Sequence, residues 1–425
     1  MTVTDIRHGT VRLLVWAGAD ADGERAARGR LADALRRGLP APPPGPGAVR
    51  GAVVTTAGRA LADLADASAH LVRAGGPRPV ALLLPGQGSQ HAGMATGLYR
   101  DQPVFRAAVD EVLDAWGPEG DAVRADWLGL AGGPGVPVDD VRRAQPLLFA
   151  VDHGLGRLLL SWGATPVEAL GHSAGEVVAA TLAGVFTVAE AVALVQGRVR
   201  AAAPIPPGGM LAVAAGVDAL VPHLTGQVGV AAVNAARQTM LAGPRAELAA
   251  VAARLGAEGM TVRPVPATTP FHSPAMEPAV AEAARAFTAT PRPARFAVRS
   301  GYTGELLTPA QAGSATFWAR QIVDTVRFGP ALTRMLGDGD RLLVECGPGR
   351  TLSAFALRQR AVRTGASAVL SMLPGDCDDT AGSLHVAAAL WCEGHDVAVP
   401  GPSTAPVPLG PTTRPSGDTR RSETP

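Results

Sequence analysis

Lysine is absent from the 425 residues, so all 38 basic side chains are arginine. Against them stand 37 carboxylates, and a formal net charge of +1 leaves no electrostatic footprint for nucleic acid or an anionic membrane. Cysteine is scarce. Cys346, Cys377 and Cys392 are an odd number without metal-ligand spacing, which argues against a disulfide framework and for a reducing compartment. The chain has no HExxH, no paired CxxC and no clustered carboxylates, so no metal site is expected. No apolar run approaches the roughly 18 residues of a spanning helix, and the N-terminus lacks the apolar core and cleavage site of a secretory leader. A soluble, cytoplasmic protein, expected to be monomeric, fits these absences. No internal repeat is apparent.

What is present is apolar: 47% of residues, with 18% charged, enough for a large core in two or three structural units. Residues 1–77 read as a small α/β appendage, with strands at VRLLVW and GAVVTT, an Arg/Ala-rich helix between them, and a second helix over ALADLADASAHLVRA. Val80 to Leu84 is a short continuous apolar run, as in a strand buried on both faces of a parallel sheet, and it ends in the turn PGQGSQ. The large body is assigned to 78–206 and 269–373, with helices near 103–116, 145–161 and 188–202. Between its halves, 207–268 reads strand, helix, strand, strand, helix, strand, the order of an inserted ferredoxin-like unit. The body ends near 373, and residues 400–425, rich in Pro, Ser, Thr and Gly, read as a disordered tail.

Gly171-His172-Ser173-Ala174-Gly175 places one serine between two glycines, after a short strand and before a helix, the geometry of a nucleophile on a sharp turn. The amide of Ala174 at the helix start could stabilise an oxyanion, although small residues also make ordinary turns. Among nine histidines the best base is His272, in the proline-bracketed loop where the chain re-enters the body, 272 minus 173 or 99 residues on. A loop histidine bonded only to backbone is the plain alternative. Arg198 has Val195, Leu194 and Ala191 at helical spacing behind it, which turns it inward, where a substrate carboxylate making two hydrogen bonds would offset its burial. It could equally snorkel to solvent or meet a distant carboxylate. In the PGQGSQ turn, which lacks the GK[ST] of a P-loop, the amide of Gln87 is a candidate second oxyanion donor; a bare strand-to-helix turn is the alternative.

In order, LPGQGSQ, AQPLLFAVD, GHSAGE, Arg198, PPGGMLAV, AAVNAARQTMLAG, FHSPAMEP and LVECGPGRTLS resemble the malonyl-CoA:acyl-carrier-protein transacylase family, and more closely the acyltransferase domains of modular polyketide synthases. The resemblance runs from about 78 to 373. It implies an α/β-hydrolase-like large subdomain with a parallel sheet, the inserted small subdomain, and linker-like flanks, the one after the body spanning 374–399. It further implies Ser173 as nucleophile and His272 as base, a dyad oriented by a backbone carbonyl; Gln87 and Ala174 as oxyanion donors; and Arg198 as the holder of a malonyl-type carboxylate. Gln145, Asn234 and Phe271 are matched to the substrate pocket.

Departures from the family pattern bear on the pocket. Val199 stands where glycine is usual, Ala202 where methionine is frequent, and Gly301 where an asparagine is common, although glycine can supply a carbonyl to His272 from there as well. Thr269-Pro270-Phe271-His272 matches neither the HAFH nor the YASH pattern, and Phe271 favours malonyl over methylmalonyl on volume grounds. The implied activity is that of an [acyl-carrier-protein] S-malonyltransferase type. It would move the acyl group of acyl-CoA onto serine, releasing CoA, and pass it to the phosphopantetheine of a carrier protein or synthase module, with no bound cofactor. An editing hydrolase, transfer of an unusual acyl group between carrier proteins, and a non-catalytic docking protein of a synthase are the competing readings, and a discrete enzyme or an excised domain would both fit.

Overall fold

The computed structural model describes residues 4–69, 71–74, 76–130, 135–375 and 377–399. The expected disordered tail, 400–425, lies outside them. Near the N-terminus, β1 (Asp5–His8), β2 (Val11–Gly18), β3 (Val49–Thr56) and β4 (Leu71–Ala74) form an antiparallel sheet in that order, backed by the helices Ala21–Arg36 and Ala60–Ala65. The expected helix over ALADLADASAHLVRA is therefore wrong beyond Ala65. Asp66 leaves the helix with extended backbone, and its carboxylate takes both the amide and the hydroxyl of Ser68, at 2.9 and 2.7 Å. That local turn competes with the next helical hydrogen bonds, and the chain returns to pair β4 with β3, Val49 opposite Ala74.

Two strands of the body follow, β5 (Val80–Leu84) and β6 (Glu168–Gly171), and then four strands of the small unit: β7 (Gly208–Val213), β8 (Gly229–Ala235), β9 (Gln238–Pro244) and β10 (Val262–Val265). The body resumes with β11 (Ala297–Arg299), β12 (Leu342–Pro348) and β13 (Ala368–Leu373). The body's sheet is wholly parallel, in the order β11-β6-β5-β12-β13, and all five residues of β5 are buried because helices cover both faces. The small unit has the order β10-β7-β9-β8, all antiparallel, the ferredoxin-like arrangement. The protein is thus an α/β structure of a large parallel-sheet subdomain with a ferredoxin-like insertion.

Register places the site. Leu84 at the end of β5 pairs with Gly171 at the end of β6, so the PGQGSQ turn and the serine turn leave the sheet side by side. Open parallel sheets bind ligands beyond such carboxyl ends.

Residues 374–399 carry a 14-residue helix, Asp379–Cys392, whose first turn is capped by Asp378. It lies between the N-terminal sheet and the body. The indole of Trp391 donates to the carbonyls of Trp16 and Gly51, each at 3.2 Å, and the guanidinium of Arg50 stacks 4.4 Å from its ring centre. Glu393 pairs with both Arg73 and Arg78. Ile6, Leu13, Val15 and Ala52 of the N-terminal sheet share one apolar core with Leu390, Val397 and the body.

Candidate active site

Ser173 has φ +53°, a left-handed conformation that costs a residue with a Cβ and that lifts its hydroxyl out of the turn. The flanking glycines are required by close approach. A Cβ on Gly171 would lie 2.1 Å from the Glu176 amide nitrogen, and one on Gly175 would lie 2.1 Å from the Leu84 carbonyl oxygen. The helix Gly175–Leu182 starts immediately after, and the His172 amide donates to Leu84 at 2.9 Å, tying the turn to β5.

His272 meets this serine from the far side of the insertion. Its Nε2 lies 2.7 Å from Ser173 Oγ, and its Nδ1 lies 3.0 Å from the carbonyl oxygen of Asp324. A carbonyl only accepts, so Nδ1 carries the proton and Nε2 offers its lone pair to the serine hydroxyl. The ring's own residue has φ +63°, and its amide donates to Ile322 at 2.7 Å. Burial, followed by the nearby His172 and Arg198, pushes the imidazole down to about 3, so at neutral pH it is a free base. The orienting carbonyl belongs to Asp324 rather than to Gly301. Gly301 is used otherwise: its amide donates to Glu176 Oε2 at 2.7 Å and its carbonyl accepts from Arg327 at 2.5 Å.

Arg198 is positioned by the helix Val188–Ala202, which opens with a capping box between Thr187 and Glu190. Its side chain is buried, and Nη2 donates to the Trp318 carbonyl at 3.0 Å and to Gln321 Oε1 at 2.5 Å. The Nε of this guanidinium has no protein partner among the described residues. Gln321 in turn donates to Glu176 at 3.0 Å, so one amide side chain bridges the arginine and a fully buried carboxylate. Burial pushes Glu176 up to about 7, against the pull of Gly301, Ser300, Arg198 and Gln321. Sequence reasoning misses Glu176, Gln321, Tyr302 and Asp324. An acidic residue in the first turn after the serine is the signal that points to Glu176; the other three lie far from Ser173 along the chain and carry no local signature.

Gln87 and Gln145 face each other, Gln145 Nε2 donating to Gln87 Oε1 at 3.2 Å. The PGQGSQ loop is pinned by its own side chains, Ser89 Oγ to Gly86 and the Gly88 amide to Gln90, which also reaches Asp139. It abuts the serine turn, since a Cβ on Gly86 would lie 3.2 Å from that of Ser173. Gln87 is thereby placed beside Ser173, and Ala174 directly follows that serine. Asn234 is buried but reaches His172 rather than the serine, Oδ1 to Nε2 at 2.9 Å. The His172 ring is thus engaged away from the serine hydroxyl.

A gorge of about 240 Å³ leads down to Ser173 between the subdomains, past Gln87, Asn234, Met240 and Phe355. At its floor a pocket of only about 20 Å³ lies among Ser173, Arg198, Phe271, Tyr302 and Gln321. Among the described residues no group of three or more metal-binding side chains is gathered, and no helix is long and apolar enough to cross a membrane. A serine hydroxyl within hydrogen-bond reach of a neutral imidazole, in a pocket also lined by a buried arginine, is an arrangement that could serve acyl transfer.

A model of the family described as the acyl transferase domain matches residues 82–378. Over 322 residues, 75% of this chain, the sequence is 35% identical to a phenolphthiocerol/phthiocerol polyketide synthase polypeptide of Mycobacterium tuberculosis, of which it covers 21%. It is 36% identical over 341 residues, 76% of the chain, to the polyketide synthase GfsA of Streptomyces halstedii, of which it covers 4%. The chain thus spans about a fifth or less of the length of these two relatives. Among solved structures, the acyl transferase domain of SpnD in complex with 2-(pent-4-yn-1-yl)malonyl superposes with a TM-score of 0.79, at 28% identity, over 92% of this chain and 97% of that one.

Proposed function

Because this chain belongs to the acyl transferase domain family, we propose that it moves a malonyl-type extender unit from acyl-CoA, through an acyl ester on Ser173, to the phosphopantetheine thiol of a carrier protein. The observation that carries the reading is the 2.7 Å contact between Ser173 Oγ and a His272 ring that burial keeps neutral and the Asp324 carbonyl orients. His272 Nε2 takes the serine proton as Oγ attacks the thioester carbon. Gln87 and Ala174 amides hold the oxyanion; as it collapses, the carbon–sulfur bond breaks and the CoA thiolate leaves with the proton from His272. The carrier thiol then gives its proton to His272 and attacks the acyl carbon. The ester bond to Ser173 breaks, and Oγ recovers a proton from the imidazolium.

Arg198 binds the free carboxylate of the acyl group, its unpartnered Nε supplying a donor in a dry site. A pocket of about 20 Å³ and the Phe271 ring support malonyl over methylmalonyl, and the malonyl-type ligand of the SpnD domain supports the carboxylate-bearing class. Intact-mass measurement after exposure to malonyl-, methylmalonyl-, ethylmalonyl- and acetyl-CoA, with Ser173→Ala as control, names the group carried. Malonyl is expected to add to the parent and not to the control. Arg198→Ala is expected to lower malonyl loading about 10- to 100-fold, the worth of a charged hydrogen bond, and to leave acetyl loading nearly unchanged. Equal losses for both acyl groups would remove the carboxylate role.

A further inference from the structure

Two spaces meet at Ser173, the gorge and the small acyl pocket, and a third of about 530 Å³ lies behind the acyl pocket, lined by Gly229, Thr316, Arg320 and Arg327 among others. The acyl pocket and the far cavity share three residues, His272, Tyr302 and Gln321, which therefore form the partition between them. Two of the three are committed elsewhere. His272 is the base, fixed by Asp324, and Gln321 is spanned between Arg198 and Glu176. The third, Tyr302, is 9% exposed, with its ring centre 6.1 Å from that of His272, and lines the same small pocket as Ser173. It stands in the turn after β11, where its amide donates to Ser300 Oγ at 3.1 Å and the preceding Gly301 amide is held by Glu176.

The consequence is one of size and water. The acyl pocket is tight, about 20 Å³, whereas the cavity of about 530 Å³ behind Tyr302 has room for many water molecules. An acyl ester on Ser173 is exposed to hydrolysis wherever that water can reach its carbonyl carbon.

We propose that Tyr302 is a specificity-determining wall: its ring closes the acyl pocket against the 530 Å³ cavity, limits the acyl group to the smallest substituent at the malonyl carbon, and keeps cavity water from the acyl-serine. This rests on the reading of Ser173 as carrier of a malonyl-type group. Where the wall is removed, water adds to the acyl carbon, the bond to Ser173 Oγ breaks, and His272 returns the water's proton to the serine, releasing the free acid.

The test compares the parent with Tyr302→Ala and Tyr302→Phe, folding being verified by thermal unfolding, with Tyr302→Leu in reserve should the alanine variant not fold. Each is exposed to malonyl-CoA and to 2-(pent-4-yn-1-yl)malonyl-CoA, the mass gained is read, and the decay of the acyl-serine is followed without carrier protein. The parent and Tyr302→Phe are expected to take malonyl and exclude the larger group. Tyr302→Ala is expected to gain loading of the larger group by at least about tenfold, the scale on which one added carbon is discriminated, and to lose malonyl from Ser173 several-fold faster. Unchanged selectivity and decay in a folded Tyr302→Ala, or ready loading of the larger group by the parent, would overturn the wall. A parent that no acyl-CoA acylates would instead overturn the proposed function itself.

Discussion

His272 Nδ1 lies 3.0 Å from the carbonyl oxygen of Asp324, while the carboxylate of that same aspartate is turned away to Arg320, 2.9 Å from its Nη2. The acid that would complete a triad sits in the same residue's side chain and is spent on the surface. The imidazole is oriented by backbone.

Asp324→Ala should therefore keep kcat/KM for acyl transfer within about threefold of the parent, since the lost partner is a half-exposed ion pair of ~0–1 kcal/mol. In a triad the corresponding change of the acid costs ~10⁴ in kcat. Steady-state kinetics separate the two; a loss approaching the second figure would place the carboxylate in the mechanism.

The pH dependence of serine acylation should lack the usual histidine limb. An ordinary imidazole becomes protonated, and useless as a base, below about 6.5; His272 is held down to about 3 by burial, then by His172 and Arg198. The single-turnover rate is expected to stay flat from pH 8 to about 5, until CoA chemistry or unfolding intervenes. A halving near 6.5 would show that the ring is solvated when it works.

Glu176→Gln tests the carboxylate under Arg198. Burial raises Glu176 from 4.5 to about 7. Between those values the folded protein keeps a proton that the unfolded chain has released, so this group's contribution falls as pH rises through the window and levels off above it. Glutamine does not titrate. The thermal midpoint of Glu176→Gln, measured relative to the parent, should rise from pH 5 to pH 8. A relative fall would mean that Glu176 is ionised and paired with the arginine through Gln321.

Much of the sheet and of the serine turn is legible in the sequence because both rest on short-range rules. Apolar runs such as Val80 to Leu84 mark buried parallel strands, and Gly171 and Gly175 mark a turn that admits no Cβ. The inward face of Arg198 follows from the residues one and two turns behind it. What stays hidden is set by distance. Gln321 is 123 residues from Arg198, and Asp324 lends a carbonyl, which no side-chain identity advertises. The strand Leu71–Ala74 is lost to helix propensity because a single Asp66 turn decides where the helix stops.

The helix Asp379–Cys392 gives the large subdomain a geometric limit. With Trp391 bonded to Trp16 and Gly51, and Leu390 and Val397 in the core shared with Ile6 and Leu13, an excision drawn at residue 373 would cut through packed interior rather than along a surface. A unit moved into another protein would keep its packing only with the N-terminal sheet and the helix Asp379–Cys392 both included. Its two ends belong to one sheet-and-helix pedestal, so the cleft would be carried over with its foundations.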